Sequence, residues 1–304
     1  MLLKKYKSLL LPLAIILGIV FYKRLHIFIN LVPFFICAIL FFAYSSLHFR
    51  RLRFEKINFI LLVVHLISTI VIYVLCYVAF KPLVSQSILV GLICPVASAS
   101  SAVVGVLGGD KEVSIVHTLC DNAMVVIVAP IMFSIAETSA DMTFWQSVAI
   151  LMAKVFPIMM LPMLALIVMR RFFPRQAFKL SKYDWLSILL WSVSLMINFA
   201  ETTFAIVHMG KLYLNDIILI AIASLVMCIV QFYAGKRMGK PFNQTIVAGQ
   251  ALGQRNTGLG IWMAYTYFSN PLTTIYCAGY SLWQNMFNSI QMYLHDTKKQ
   301  KKSF

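Results

Sequence analysis

An all-helical membrane protein is the fold class this sequence predicts, and three observations carry it. Of the 304 residues, 61% are hydrophobic and 12% charged, whereas charged residues make up about a quarter of a soluble domain. Apolar runs recur along the whole chain, ten of them, each near the roughly 20 residues that cross about 30 Å of hydrocarbon. The cations alternate in a way that only a membrane topology explains. With both termini inside, 20 Lys and Arg fall in inside segments and four, Lys23, Arg24, Lys81 and Lys211, fall outside. An error of one span would scramble that partition.

The runs cover about 8–22, 27–47, 58–80, 83–108, 112–136, 143–169, 184–208, 212–235, 242–268 and 271–293. The first is short and contains Pro12, but no small-residue cleavage site follows it and Lys23 and Arg24 come next, so it reads as a span rather than a signal peptide. The whole chain, 1–304, reads as one transmembrane domain: a five-span repeat over about 8–138, a second over about 143–293, and a basic cytoplasmic tail at 294–304. This points to the cytoplasmic (inner) membrane, multi-pass. Glu137 and Asp141 read as solvated residues of an outside loop. The net charge of +16 is scattered between apolar runs rather than gathered on one domain, so no nucleic-acid partner is implied. The six cysteines, Cys37, Cys76, Cys94, Cys120, Cys228 and Cys277, lie in apolar runs without a CxxC pair and read as thiols, neither disulfides nor a zinc site.

Lys154, Arg255, Asp121 and Glu201 fall inside apolar runs. Such charges are expensive at depth and either neutralise one another or line a route for substrate or protons. In the fifth run Ser114, His117, Thr118 and Asp121 share one helical face. Ser194, Asn198, Glu201 and Thr202 repeat the pattern in the seventh, and Gln250, Gln254 and Thr257 in the ninth. Three polar stripes predict a shared watery cavity, although a hydrogen-bonded bundle seam would leave the same pattern. Trp283, Gln284, Asn285 and Asn288 of the last run are candidates to pack beside it. His65, His117 and His208 lie on separate spans with no metal spacing; His117 reads as donating to a backbone carbonyl or to Asp121. Trp262, Tyr265, Tyr267 and Phe268 read as an interfacial belt.

Two runs are unlike ordinary helices. The fourth contains CPVASASS at 94–101, where Pro95 removes a backbone donor and Ser98, Ser100 and Ser101 offer short polar groups at mid-depth. The ninth contains Gly249, Gly253, Gly258 and Gly260 interleaved with Gln250, Gln254, Arg255 and Asn256. Broken helices at matching places in two halves point to a transporter site near the midplane. Ser101 and Asn256 lie 155 residues apart, about half the chain. Because five is odd, the second repeat is inverted relative to the first.

At CPVASASS (94–101) and GQRNTGL (253–259) the sequence resembles the bile acid:sodium symporter family, and the likeness runs over most of the chain. It implies ten transmembrane helices as two inverted five-helix repeats, with discontinuous crossed helices at spans 4 and 9. In that family a Ser-Asn pair follows the fourth-span proline; here Ser100 and Ser101 stand there. The family's two further hydroxyl sodium ligands fall on Ser114 and Thr118, so the resemblance implies a sodium site at Ser100, Ser101, Ser114 and Thr118. The ninth span departs. Aligning on Asn256 puts Ala251 where the family has a sodium-bridging Glu and Arg255 where it has Gln, and a one-residue slip puts Gln250 and Gln254 there. Losing the carboxylate and adding a guanidinium opposes cation binding, which weighs against sodium coupling. Arg255 is then expected to act as a fixed positive charge, locking the crossing helices or meeting an anionic substrate.

These readings converge on a secondary transporter of a small organic anion working by alternating access, not an enzyme, with no cofactor and no protein partner. Ser98, Ser101, Gln250, Gln254, Arg255, Asn256 and Thr257 are the candidate substrate contacts; Ser100, Ser101, Ser114, Thr118, Asp121 and Glu201 are the candidates for ion or proton coupling. An uncoupled facilitator fits the same residues. So does the auxin efflux carrier type, of which GGDKEVS at 108–114 is reminiscent, whereas GQRNTGL favours the symporter side. An intramembrane enzyme using Asp121, Glu201 or His117 is the reading from another class; the chain has no GxSxG or HExxH to nominate a nucleophile or metal, and no P-loop for ATP drive.

Overall fold

The computed structural model describes residues 12–45, 53–137, 143–180 and 183–302. Among them the chain is helical with no β-strand. The helices are α1 (12–20), α2 (Val32–Ser45), α3 (Lys56–Ala79), α4 (Pro82–Ile93), α5 (Ser100–Val106), α6 (Lys111–Ala136), α7 (Phe144–Phe172), α8 (Asp184–Met209), α9 (Leu214–Gly239), α10 (Thr245–Gly253), α11 (Thr257–Tyr267) and α12 (Ile275–Lys302). Short helical turns join several of them, such as His26–Leu31 before α2 and Gly210–Tyr213 between α8 and α9.

Among the described residues, five segments are long and apolar enough to cross a membrane: Tyr22–Ser45, Lys56–Ala79, Lys111–Ala136, Phe144–Phe172 and Leu189–Phe242. The last spans 54 residues and is broken at Gly210–Tyr213 into α8 and α9. Burial follows the logic of a lipid solvent. Val78 is 82% and Leu212 86% exposed, while Asp121 and Asn198 are fully buried. Helices that turn Ile, Val, Leu and Phe outward and carboxylates, amides and hydroxyls inward make this an all-α membrane-embedded protein.

Local chemistry explains the helix boundaries. Asp110 caps α6, its Oδ1 accepting from the N–H groups of Glu112 (2.9 Å) and Val113 (3.1 Å). Thr143 and Gln146 form a reciprocal capping box at the start of α7. Pro95 cannot donate a helical hydrogen bond and disfavours helix at Cys94, whose backbone is non-helical (φ −52°, ψ 132°), so α4 stops at Ile93, two residues before the proline. The chain resumes as helix only at Ser100. Asn256 restarts α11 by accepting from the Leu259 N–H at 3.2 Å.

Packing places both interruptions centrally. α9 packs along α10 and α12, α2 along α7 and α8, and α6 against α7. α9 can lie so close to α10 because Gly235 has no side chain: a Cβ there would run into the backbone carbonyl of Ala248. Trp262 and Phe268, expected at the interface, are instead 6% and 5% exposed and belong to the main apolar core. Glu137 also departs from its expected solvated role. It accepts hydrogen bonds from the Gln86 side chain (3.2 Å) and the Ser269 N–H (3.1 Å), joining the end of α6 to the loop after α11. Asp141 lies outside the described residues.

Gly235→Ala is expected to lower stability by about 1–3 kcal/mol, since backbone must move to admit the methyl group. Gly210→Ala, whose Cβ would meet the flexible end of Ile217 at 3.3 Å, is expected to change far less. Thermal denaturation midpoints of the detergent-solubilised variants check the pair.

Candidate functional site

The two interruptions meet. Residues 94–99, between α4 and α5, and 254–256, between α10 and α11, run antiparallel and form a bridge between Val96 and Arg255. The Ala97 N–H donates to Gln254 O (3.0 Å) and the Asn256 N–H to Pro95 O (2.7 Å). Backbone groups freed by each break thus find partners in the other, which a water-poor interior requires.

Arg255, 1% exposed, leads the fully buried side chains by volume. Its backbone is clamped by Gln284 of α12, whose Oε1 accepts from the Arg255 N–H (2.8 Å) and whose Nε2 donates to the Arg255 carbonyl (3.1 Å). Its Nη1 donates to the Cys94 carbonyl (3.3 Å) and lies 4.0 Å from Asp121 Oδ2. The same nitrogen is 3.3 and 3.2 Å from the two ring nitrogens of His65, so it sits over the imidazole rather than in line with either ring nitrogen. Its Nε has no partner.

Asp121 of α6 has both oxygens engaged: Oδ2 accepts from the Val96 N–H (2.7 Å) and Oδ1 lies 2.6 Å from His65 Nδ1. His65 of α3 is held at its other nitrogen by the Leu92 carbonyl (2.8 Å), which also accepts from Thr69 Oγ1 (3.3 Å). Four parts of the chain, α3, α6 and the two interruptions, therefore converge on one buried cluster. Opposite unit charges about 4 Å apart attract by about 4 kcal/mol at an effective dielectric constant near 20.

The cluster sorts the four intramembrane charges expected to neutralise one another. Arg255 and Asp121 do pair. Lys154 is exposed on α7, 6.0 Å from the Tyr267 ring centroid rather than near a carboxylate. Glu201, 5% exposed on α8, has no ion-pair partner among the described residues. The histidine on Asp121 is His65, not His117, whose two ring nitrogens lack partners. Although His117 lies one turn before Asp121 on α6, the carboxylate turns toward α3 and the Val96 N–H, where it has two donors.

The remaining candidates fall in three places. Ser98, Ser101 and Thr118 line a small pocket with Ala43, Tyr44 and Ile115. Its volume of about 20 Å³ holds roughly one water. Ser100 and Ser114 are buried nearby on α5 and α6, and the Ser100 hydroxyl has no partner. The third group is spent on helix–helix hydrogen bonds. Gln250 donates to Asn288 (2.8 Å), Thr257 accepts from Gln284 (3.4 Å), and Asn198 of α8 reaches the Gly258 carbonyl (3.5 Å). The Gln254 carbonyl belongs to the bridge, while its side-chain oxygen is unpartnered.

No group of three or more His, Cys, Asp and Glu side chains among the described residues is arranged to hold a metal ion. Compared with known families and with curated proteins, the chain matches no family model and no curated sequence.

Gln284→Leu is expected to destabilise the protein by about 1–3 kcal/mol, because it orphans the buried Arg255 N–H, whereas the Arg255 carbonyl keeps the Thr257 N–H at 2.9 Å. Asn285→Leu is the control, since Asn285 donates only to Ser281 of its own helix (2.8 Å). A drop in the thermal midpoint confined to Gln284→Leu is the expected result.

Proposed function

We propose that the chain is a secondary transporter of the bile acid:sodium symporter type that moves a small organic anion across the cytoplasmic membrane by alternating access. On this reading the ten apolar runs are ten spans with both termini cytoplasmic, two inverted five-span repeats, with α4–α5 and α10–α11 as the crossed, discontinuous fourth and ninth spans. One observation carries the proposal: two helices broken at matching positions meet antiparallel around a buried arginine. Non-helical backbone at membrane depth is tolerated where it is buried in protein or lines a cavity or site, and there is no structural need for two such breaks in a merely packed bundle.

The substrate is an anion because the one guanidinium at the meeting point is the group that recognises carboxylate geometry. Its unpartnered Nε leaves a donor for that purpose. The hydroxyls of Ser98, Ser101 and Thr118 line the pocket beside the α4–α5 interruption, which must widen to admit an organic molecule. Sodium coupling is not part of the proposal: both Asp121 oxygens are already engaged by His65 and the Val96 N–H, and Arg255 stands beside them.

The test is a thermal-shift screen of the purified full chain against carboxylates from pyruvate to cholate, each in sodium and in potassium buffer. A ligand at 100 times its Kd raises stability by about 2.7 kcal/mol. At least one carboxylate is expected to stabilise the protein equally in both salts, and Arg255→Gln is expected to abolish the shift. Stabilisation only by uncharged analogues, or by sodium alone, would overturn the proposal.

A further inference from the structure

The His65–Asp121 contact requires a proton. The Leu92 carbonyl has no hydrogen to give, so His65 Nε2, 2.8 Å away, carries one. Nδ1 stands 2.6 Å from Asp121 Oδ1, and two lone pairs that close would repel, so a second hydrogen lies between them. The pair is either imidazolium with carboxylate or imidazole with carboxylic acid, and both have zero net charge. Without that proton the pair carries one negative charge. Arg255 adds one positive charge, so the cluster is +1 with the proton and neutral without it.

The other titratable groups facing the cluster do not alter that count. His117 comes from the preceding turn of α6, Cys94 from the interruption, and Tyr276 and Tyr280 of α12 lie within electrostatic reach of Arg255. No further acid is within ion-pair distance among the described residues.

We propose that the His65–Asp121 pair is an exchangeable proton-binding site whose occupancy sets the charge that Arg255 presents to a bound organic anion. This rests on the transporter reading above. With the proton in place, His65 and Arg255 share the one carboxylate and the cluster carries a net charge of +1, which a monovalent carboxylate at Arg255 Nε neutralises. When the proton leaves, Asp121 compensates Arg255 and the attraction for the anion is lost. Proton and anion therefore bind together and leave together, one for one, in the same direction and without net charge movement. Nothing covalent changes: the proton is taken from water on the side where the site is open and returned to water on the other. By linkage, each ligand strengthens binding of the other by the same factor.

The test uses the full chain in lipid nanodiscs with ring-¹⁵N-labelled histidine, observed from about pH 5 to 9. His65→Gln identifies the His65 signals by their loss. The expected result is a His65 ring with both nitrogens protonated at the acidic end and a single transition that removes the proton shared with Asp121. In Asp121→Asn, His65 should remain a neutral imidazole protonated at Nε2 throughout. A second arm needs no variant: in weakly buffered solution on the alkaline side of that transition, where the free site has lost its proton, adding cholate or pyruvate should draw about one proton from solution per anion bound. His65 signals constant over the range, or anion binding without proton uptake, would overturn the proposal while leaving the transporter reading intact. A titrating His65 in a protein that binds no carboxylate would support the proton site and remove the proposed substrate class instead.

Discussion

A guanidinium buried to 1% exposure is tolerable in a membrane protein only with a counter-charge and hydrogen-bond acceptors fixed around it, and the centre of this molecule is organised to supply them. Asp121 provides the charge, Cys94 a carbonyl and His65 a ring over which one nitrogen rests. Asp121 is itself held by the Val96 N–H, a donor available because the helix has stopped. The α4–α5 break therefore orients the carboxylate that neutralises the side chain carried by the α10–α11 break. Each interruption satisfies the other through backbone and through charge, so the two are one structural unit.

The surrounding helices read as supports for that unit. α12 clamps the Arg255 backbone through Gln284, α3 brings His65, and α8 reaches the start of α11 through Asn198. Hydrogen bonds among these buried amides and hydroxyls replace the apolar driving force that lipid removes between helices. The small pocket at Ser98, Ser101 and Thr118 lies beside the interruption that holds Asp121.

Much of this was legible in the sequence. Outside the two interruptions, the apolar runs fall mostly on helix among the described residues, and both breaks fall where Pro95 and the Gly/Gln/Asn cluster foretell them. The polar stripe on α6 does face inward, because a face carrying Ser114, Thr118 and Asp121 cannot be solvated by lipid. What the sequence leaves open is pairing. Helical spacing joins Asp121 to His117, one turn away, whereas the structure joins it to His65, distant in sequence and on another helix. The available signal was a lone ionisable ring in the otherwise apolar stretch LLVVHLIST, which has no reason to be there unless a carboxylate or carbonyl meets it. Gln284 was visible as a polar residue of the last run, but its clamp on Arg255 depends on the crossing geometry. Trp262 and Phe268 were misplaced because aromatic residues suit both an interface and a core, and composition does not separate the two.

Whether Arg255 and Asp121 act as a pair is measured most directly by a double-mutant cycle on stability. Asp121→Ala alone leaves a buried guanidinium uncompensated and is expected to lower stability by about 3–5 kcal/mol. Adding Arg255→Met to it should recover part of that loss, giving a coupling energy of about 0.5–3 kcal/mol. Strictly additive losses would mean that the two charges do not meet, and would contradict a buried charge cluster joining the interrupted helices.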